Sequence, residues 1–190
     1  MRLDERALKQ LLLEARTHRA WLPKEVPDDL LKEIVDLMKM GPTAFNCLPA
    51  RIVYVKSKAA KERLKPFLSS GNVDKTMTAP ATAIIAYDLK FYEHPPKGQD
   101  KLAGYDDPER ALVPALRNGS LQAGYFILAA RGLGLDVGAM SGFDNAGVDR
   151  EFLAGTDFKS NLLCNLGYGD PAKLRPRGPR FAFDEIARIL

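Results

Sequence analysis

Basic residues cluster near both ends of this sequence, and their types suit the binding of a small anion. Residues 175–180 (RPRGPR) follow Lys173. The prolines in this run restrict the backbone, and each guanidinium can bind two oxygens of a phosphate at once. Arg16, Thr17 and Arg19 follow a predicted helix near the N-terminus. Taken alone, these three are better explained as a basic last turn that the helix dipole stabilises.

Two further places carry groups that could contact a flat ligand. Gly142 follows Ser141, and the missing side chain would let the backbone approach such a ligand closely. The same pair also fits an ordinary turn before a helix capped by Asp144. Asn72 and Lys75, taken alone, are typical of a turn and of an exposed surface.

Two other patterns do not indicate a reactive site. Gly132, Gly134 and Gly138 resemble a dinucleotide-binding loop in spacing, but that loop follows a strand and opens a helix, whereas here the order is reversed. Cys47 lies in a loop rich in proline and asparagine, without the basic partner that activates a nucleophilic thiol. The 2 cysteines and 2 histidines lack the paired spacing of a zinc site. We therefore expect no metal.

Length and composition indicate one globular domain over residues 1–190, with 46% hydrophobic residues and a formal net charge of +4. We expect a cytoplasmic protein, because the N-terminus lacks the features of a secretory signal. The most apolar run, residues 121–130, is too short to span a membrane. The basic residues lack interleaved aromatic residues and match no nucleic-acid-binding motif. We expect neither a membrane nor a nucleic-acid partner.

Hydrophobic periodicity predicts an α+β fold, with helices packed around a sheet. Loop residues in 41–49 indicate an ordered connection. Residues 89–108 hold prolines, glycines and charges without a period, which predicts a lid or an inserted loop. The predicted helices are residues 3–15, 30–38, 58–68, 111–131, 145–153 and 183–190, and the predicted strands are residues 51–56, 81–87, 136–139 and 161–166.

Taken together and in order, seven short segments resemble the flavin-dependent nitroreductase family. The resemblance implies a central, mainly antiparallel sheet flanked by helices, in an intertwined homodimer with one FMN per subunit at the interface. It departs from the family pattern at Ala15, where the family often has a basic residue, and at residues 48–50 (LPA), where the family has Gln-Pro-Trp. The segments are residues 16–21 (RTHRAW), 41–49 (GPTAFNCLP), 79–80 (AP), 132–134 (GLG), 141–144 (SGFD), 167–169 (GYG) and 175–179 (RPRGP).

The resemblance also implies which basic residues contact FMN. Arg175 and Arg177 match the pair that binds the FMN phosphate in the family. Arg16, Thr17 and Arg19 match its first FMN-binding motif. Because the phosphate carries close to two negative charges, charge-assisted hydrogen bonds from arginine suit it well.

The resemblance assigns the rest of the flavin site to other segments. Asn72 and Lys75 match positions near the ribityl chain and the pyrimidine edge. Ser141 and Gly142 match backbone N–H groups that face the flavin N5 and O4. The segment that the family supplies from the partner subunit corresponds here to Pro42, Thr43, Ala44 and Asn46.

The implied activity is that of an FMN-dependent NAD(P)H oxidoreductase, in which NADH or NADPH and then an acceptor bind in turn. Flavin N5 carries the hydride in such enzymes, so no catalytic side chain is expected. Within the family, residues 14–18, 68–72 and 140–144 most resemble a subfamily that reduces malonic semialdehyde to 3-hydroxypropionate. Two alternatives remain open: a broad NAD(P)H nitro- or quinone reductase on the same scaffold, and a flavin-binding module without turnover.

Overall fold

Four strands form one antiparallel sheet in the order β1-β2-β4-β3. The computed structural model describes residues 2–190, and of Pro108 only the backbone. The expected α+β fold with an antiparallel sheet is confirmed. The strands are β1 (Ala50–Val55), β2 (Ala81–Asp88), β3 (Asp136–Met140) and β4 (Phe158–Gly167).

Helices lie on both faces of this sheet, and none among the described residues is long and apolar enough to cross a membrane. The π-helical turn Lys9–Leu13 continues the first helix. The helices are α1 (Glu5–Leu8), α2 (Asp28–Met38), α3 (Lys58–Leu64), α4 (Ser70–Met77), α5 (Pro108–Gly132), α6 (Asn145–Phe152) and α7 (Phe183–Ile186).

The central strand β2 is buried at seven of its eight positions, as its nearly continuous apolar sequence predicts for a strand covered on both faces. Ile85 packs in one core cluster with Ile34 of α2 and Phe126 of α5. Its neighbour Ile84 packs in a second cluster, with Leu64 of α3. Alternate side chains of one strand thus hold the two helical layers together.

Three predicted helices differ from those observed. The first becomes π-helical after Leu8. The third ends at Leu64 and continues as a 3₁₀ turn containing Pro66, which has no N–H for an α-helical hydrogen bond. The last covers only Phe183–Ile186.

Helix α4 was missed altogether, and the interpretation of Asn72 and Lys75 as turn and surface residues was wrong. Both lie on α4 and are partly buried. The sequence of α4 contains glycine, asparagine and aspartate, which are weak helix formers. This helix is held by contacts from distant parts of the chain rather than by local preference.

Residues 89–107 form turns without a regular helix or strand, as predicted. They are nevertheless anchored, because Phe91 and Tyr92 pack with Cys47 and Ala111 in a third core cluster. Burial raises the pKa of the Cys47 thiol. This is the opposite of the shift that activates a nucleophile.

Candidate functional site

The basic residues from the two ends of the chain meet at one cavity of about 390 Å³, lined by Arg16, Thr17, Arg19, Arg175 and Arg177. No acidic residue of the described chain lines it. A concave surface with cations on several sides attracts an anion strongly. The structure therefore brings together every residue predicted to lie on the phosphate side of the site.

Three further cations line the same cavity: Lys173 and Arg180, which belong to the basic cluster that the sequence offers for a small anion, and Arg131, which was not predicted. Lys173 and Arg180 flank the predicted pair near the C-terminus. Arg131 is different, because it lies at the end of α5, more than a hundred residues from Arg16. Its neighbours in sequence are glycine and alanine, so nothing local pointed to it.

The segment that carries Arg16 is held along the free edge of β3. Thr17 forms a parallel bridge with Val137, and the His18 N–H donates to the Val137 carbonyl at 3.1 Å. Arg16 donates to the carbonyl of Arg175. Pairing with the edge strand β3 thus positions the N-terminal basic residues next to the C-terminal ones.

Arg177 also fixes the N-terminal segment. Its Nη2 donates to the carbonyls of Leu13 and Ala15, at 2.8 and 3.0 Å. Its guanidinium therefore does two things, since it holds the chain before Arg16 and adds positive charge to the cavity.

The second glycine of the GYG segment, Gly169, makes room for the buried His18. Nε2 of His18 lies 3.3 Å from Oδ1 of Asp136, and Oδ2 of the same carboxylate accepts a hydrogen bond from the Gly169 N–H at 2.8 Å. A Cβ at Gly169 would lie 1.8 Å from Nδ1 of the ring. The resemblance included this motif, but its role in packing the segment behind Arg16 is visible only in the structure.

Asn72 connects α4 to the segment after β3. Its Nδ2 donates to the carbonyl of Gly142 at 2.6 Å, and the Ser69 N–H donates to the same carbonyl at 3.1 Å. A Cβ at Gly142 would lie 2.8 Å from that Nδ2. The predicted ribityl residue and the predicted N5-facing pair, Ser141 and Gly142, are therefore neighbours.

Lys75 lies one turn further along α4, close to Arg19. Burial lowers the pKa of Lys75, and the positive charge of Arg19 lowers it further. The Lys75 carbonyl accepts hydrogen bonds from Trp21 Nε1 at 2.8 Å and from Asn165 Nδ2 at 3.1 Å. Lys75, which was predicted to lie near the pyrimidine edge, is thus close to Arg19 of the first predicted FMN-binding motif.

A buried lysine, Lys61, binds backbone carbonyls at the C-terminal end of α4. Nζ of Lys61 donates to the carbonyls of Thr76 and Ala79 and lies 3.4 Å from Oγ1 of Thr82. Only 4% of Lys61 is exposed, and burial lowers its pKa to about 8. Lys61 lies on a helix that the sequence predicts over residues 58–68, and its spacing from Leu64 places both residues on the buried face of that helix.

The segment expected from the partner subunit lies elsewhere in this chain, where Pro42, Ala44 and Asn46 contact α5 and the 89–107 segment. Tyr125 Oη donates to the Pro42 carbonyl at 3.0 Å. The Ala44 N–H donates to Asn118 Oδ1 at 2.9 Å, and Asn46 Nδ2 donates to Gln99 Oε1 at 2.8 Å. Thr43 closes the same turn by accepting a hydrogen bond from the Leu48 N–H at 3.1 Å.

These four residues and the cation-lined cavity lie at opposite edges of the sheet. Pro42, Thr43, Ala44 and Asn46 precede β1, which is one edge strand, whereas the Arg16 segment lies along β3, the other. Three strand spacings separate the two edges, about 14 Å. The structure therefore does not bring the two groups together within one chain.

Apolar side chains remain exposed on this chain. On α5 they are Leu112, Val113, Leu116 and Leu121, with 41–53% of each residue exposed. The tail after residue 174 is exposed throughout and contains Phe181, Phe183, Ile186, Ile189 and Leu190. Exposed apolar side chains grouped on one helix and one tail are typical of an interaction surface.

Comparison with known proteins decides the family. Residues 12–168 match the model of the Nitroreductase family. The chain belongs to this family. A relative from Stenotrophomonas maltophilia is 59% identical over 191 residues, which cover 98% of this chain and 97% of the relative. Its provisional name is NADH dehydrogenase/NAD(P)H nitroreductase.

Solved structures show the same nitroreductase fold. A protein from Bacillus subtilis, provisionally named a nitroreductase, superposes with a TM-score of 0.86 at 24% identity, covering 98% of this chain and 100% of that one. A second, from Exiguobacterium sibiricum, was solved in complex with FMN. It superposes with a TM-score of 0.84 at 16% identity, covering 100% of this chain and 99% of that one. The nitroreductase fold predicted from the resemblance is confirmed for the single chain.

Proposed function

We propose that this nitroreductase-family protein is an FMN-dependent NAD(P)H oxidoreductase that acts as a cytoplasmic homodimer. The cavity at the edge of β3 carries this proposal, because it is lined by cations from three parts of the chain and by no acidic residue of the part described. A phosphate monoester matches such a site in size and charge. Arg16, Thr17, Arg175 and Arg177 would hold the FMN phosphate there.

The residues next to this cavity fit the rest of FMN. Asn72 and Gly142 are hydrogen-bonded neighbours, and the absence of a Cβ at Gly142 leaves its backbone accessible to a flat ring. Arg19 and Lys75 stabilise negative charge on the pyrimidine edge, which favours reduction of a flavin. When bound, FMN supplies hydride chemistry that protein side chains cannot perform. The residues of this chain then position the flavin, stack against its ring and shield it from water.

A second copy of the chain completes the site in this proposal. None of the residues Pro42, Thr43, Ala44 and Asn46 lines the cation-lined cavity of the same chain. The exposed apolar face of α5 and the exposed tail offer the surface that a dimer would bury. Pairing two chains through these surfaces would bring the Pro42–Asn46 turn of one to the cavity of the other.

We propose malonic semialdehyde as the acceptor, which is reduced to 3-hydroxypropionate. Support comes from the subfamily resemblance of residues 14–18, 68–72 and 140–144. A second candidate is broad reduction of nitroaromatics and quinones, which the name of the 59% identical relative favours.

The purified protein tests this proposal in two steps. A bound flavin gives a yellow protein with an absorption band at about 450 nm. Oxidation of NADH or NADPH is then followed with malonic semialdehyde, with a nitroaromatic and with a quinone in turn. Turnover with malonic semialdehyde supports the first acceptor, and turnover only with the others supports the second. A loaded protein without any turnover is a flavin-binding module, and a protein that takes up no FMN contradicts the proposal.

A further inference from the structure

Arg131 is held rigidly at the edge of the cation-lined cavity. Its Nη1 donates to the Leu11 carbonyl at 3.0 Å. Gln10 donates through Nε2 to the Arg131 carbonyl at 2.7 Å and to the Gly132 carbonyl at 3.3 Å. Both the backbone and the guanidinium are therefore fixed to the N-terminal helical segment, which limits the entropy lost when the side chain binds a ligand.

Nε of Arg131 is buried and has no hydrogen-bond partner among the described residues. Buried polar groups are nearly always hydrogen-bonded, and a charged donor without an acceptor is costly. The cavity that Arg131 lines offers no acidic side chain from the described residues. The Arg131 guanidinium therefore carries more donors than the described residues satisfy, and an anion bound in the cavity that it lines would supply an acceptor.

The electrostatic surroundings also lack a compensating anion within the cavity. Burial lowers the pKa of the Arg131 guanidinium, Cys164 and Asp136 oppose that change, and the nearby Arg177 adds to it. Ala15 lines the same cavity and contributes no charge. A bound dianion would relieve the repulsion between the arginines and the desolvation of Arg131 together.

We propose that Arg131 is a further phosphate-binding residue, whose guanidinium supplies the FMN phosphate with a donor from the end of α5. This inference rests on the proposed function, because it takes FMN as the ligand of the cavity. It adds to the predicted arginines one that is separated from them in sequence and pre-positioned by Leu11 and Gln10. Arg131 then makes the site selective for a phosphorylated flavin.

The test compares the affinities of Arg131→Met for FMN and for riboflavin, which has the same ring and ribityl chain but no phosphate. A lost charge-assisted hydrogen bond should raise the Kd of FMN by about tenfold or more and leave the Kd of riboflavin unchanged. Arg180→Met is the matched control. Arg180 lines the same cavity, but it is exposed and donates to the Gly178 and Pro179 carbonyls, so its loss should change the Kd of FMN much less.

A second readout needs no flavin. Inorganic phosphate should raise the melting temperature of wild-type apoprotein, and it should raise that of Arg131→Met less. An unchanged Kd for FMN in Arg131→Met overturns the inference, as does an equal rise in both Kd values, which would mean a structural role. Wild-type protein that binds neither flavin would instead refute the proposed function.

Discussion

The buried Lys61 should make the stability of this protein rise with pH. Its ammonium lies beneath α4, where it donates to the carbonyls of Thr76 and Ala79. Burial lowers its pKa from 10.5 to about 8. Between these two values the unfolded chain holds a proton that the folded chain has lost, so the free energy of unfolding increases with pH across that window.

The size of the effect follows from the pKa difference. Each pH unit inside the window changes the free energy of unfolding by about 1.4 kcal/mol. Lys61 should therefore add about 2 kcal/mol between about pH 7 and about pH 9.5. Burial raises the pKa of Tyr54 and raises that of Cys164 to about 12. These two acids lower stability at high pH, but they do so equally in wild type and in a Lys61 variant.

Urea unfolding followed by far-UV circular dichroism measures the difference directly. The free energy of unfolding of wild type minus that of Lys61→Met should rise by about 2 kcal/mol from about pH 7 to about pH 9.5. Protein concentration is kept constant, since the stability of a dimer depends on it. Lys58→Met, on the exposed side of the same helix, should run parallel to wild type. If Lys61→Met also runs parallel to wild type, Lys61 is not desolvated in the folded state and the reasoning fails.

Two further substitutions probe the proposed FMN site, one on its phosphate side and one beside the flavin ring. Arg177→Ala should weaken FMN binding by about ten- to a hundredfold, because a charged donor is lost and the carbonyls of Leu13 and Ala15 lose their partner. Fluorescence titration measures this loss, and a variant that purifies fully loaded would remove Arg177 from the phosphate site. Gly142→Ala should also reduce FMN affinity, since its Cβ would lie 2.8 Å from Asn72 Nδ2. Equal FMN affinities of Gly142→Ala and wild type would show that this segment does not face the flavin.

The parts of the fold that the sequence predicts well are those with a strong local pattern. The apolar run of β2 and the long apolar helix α5 were both located to within a few residues. The same reasoning missed α4, whose residues have weak helix preference and whose stability comes from Lys61, Trp21 and Asn165. Local patterns carry no information about such contacts between distant segments.

The residues of the candidate site likewise fall into those that the sequence predicts and those that it does not. Arg16 and Arg175 could be placed together because the order of several segments resembles one family, and the structure shows them in contact. Arg131 carried no such signal, because its part in the cavity depends on where the end of α5 meets the N-terminal segment. The basic character of the site is thus visible in the sequence, whereas its full set of donors is not.

Subunit complementation tests most directly whether two chains build one FMN site. One variant, Arg175→Glu/Arg177→Glu, reverses the charge of the phosphate side. The other, Ala44→Trp, places a large ring at a position that is exposed within a single chain. Neither variant alone should retain FMN. Heterodimers isolated by two different tags should bind half as much FMN as wild type, because one of their two sites combines the intact halves. Ala44→Trp that binds FMN like wild type, or heterodimers as empty as their parents, would contradict the account.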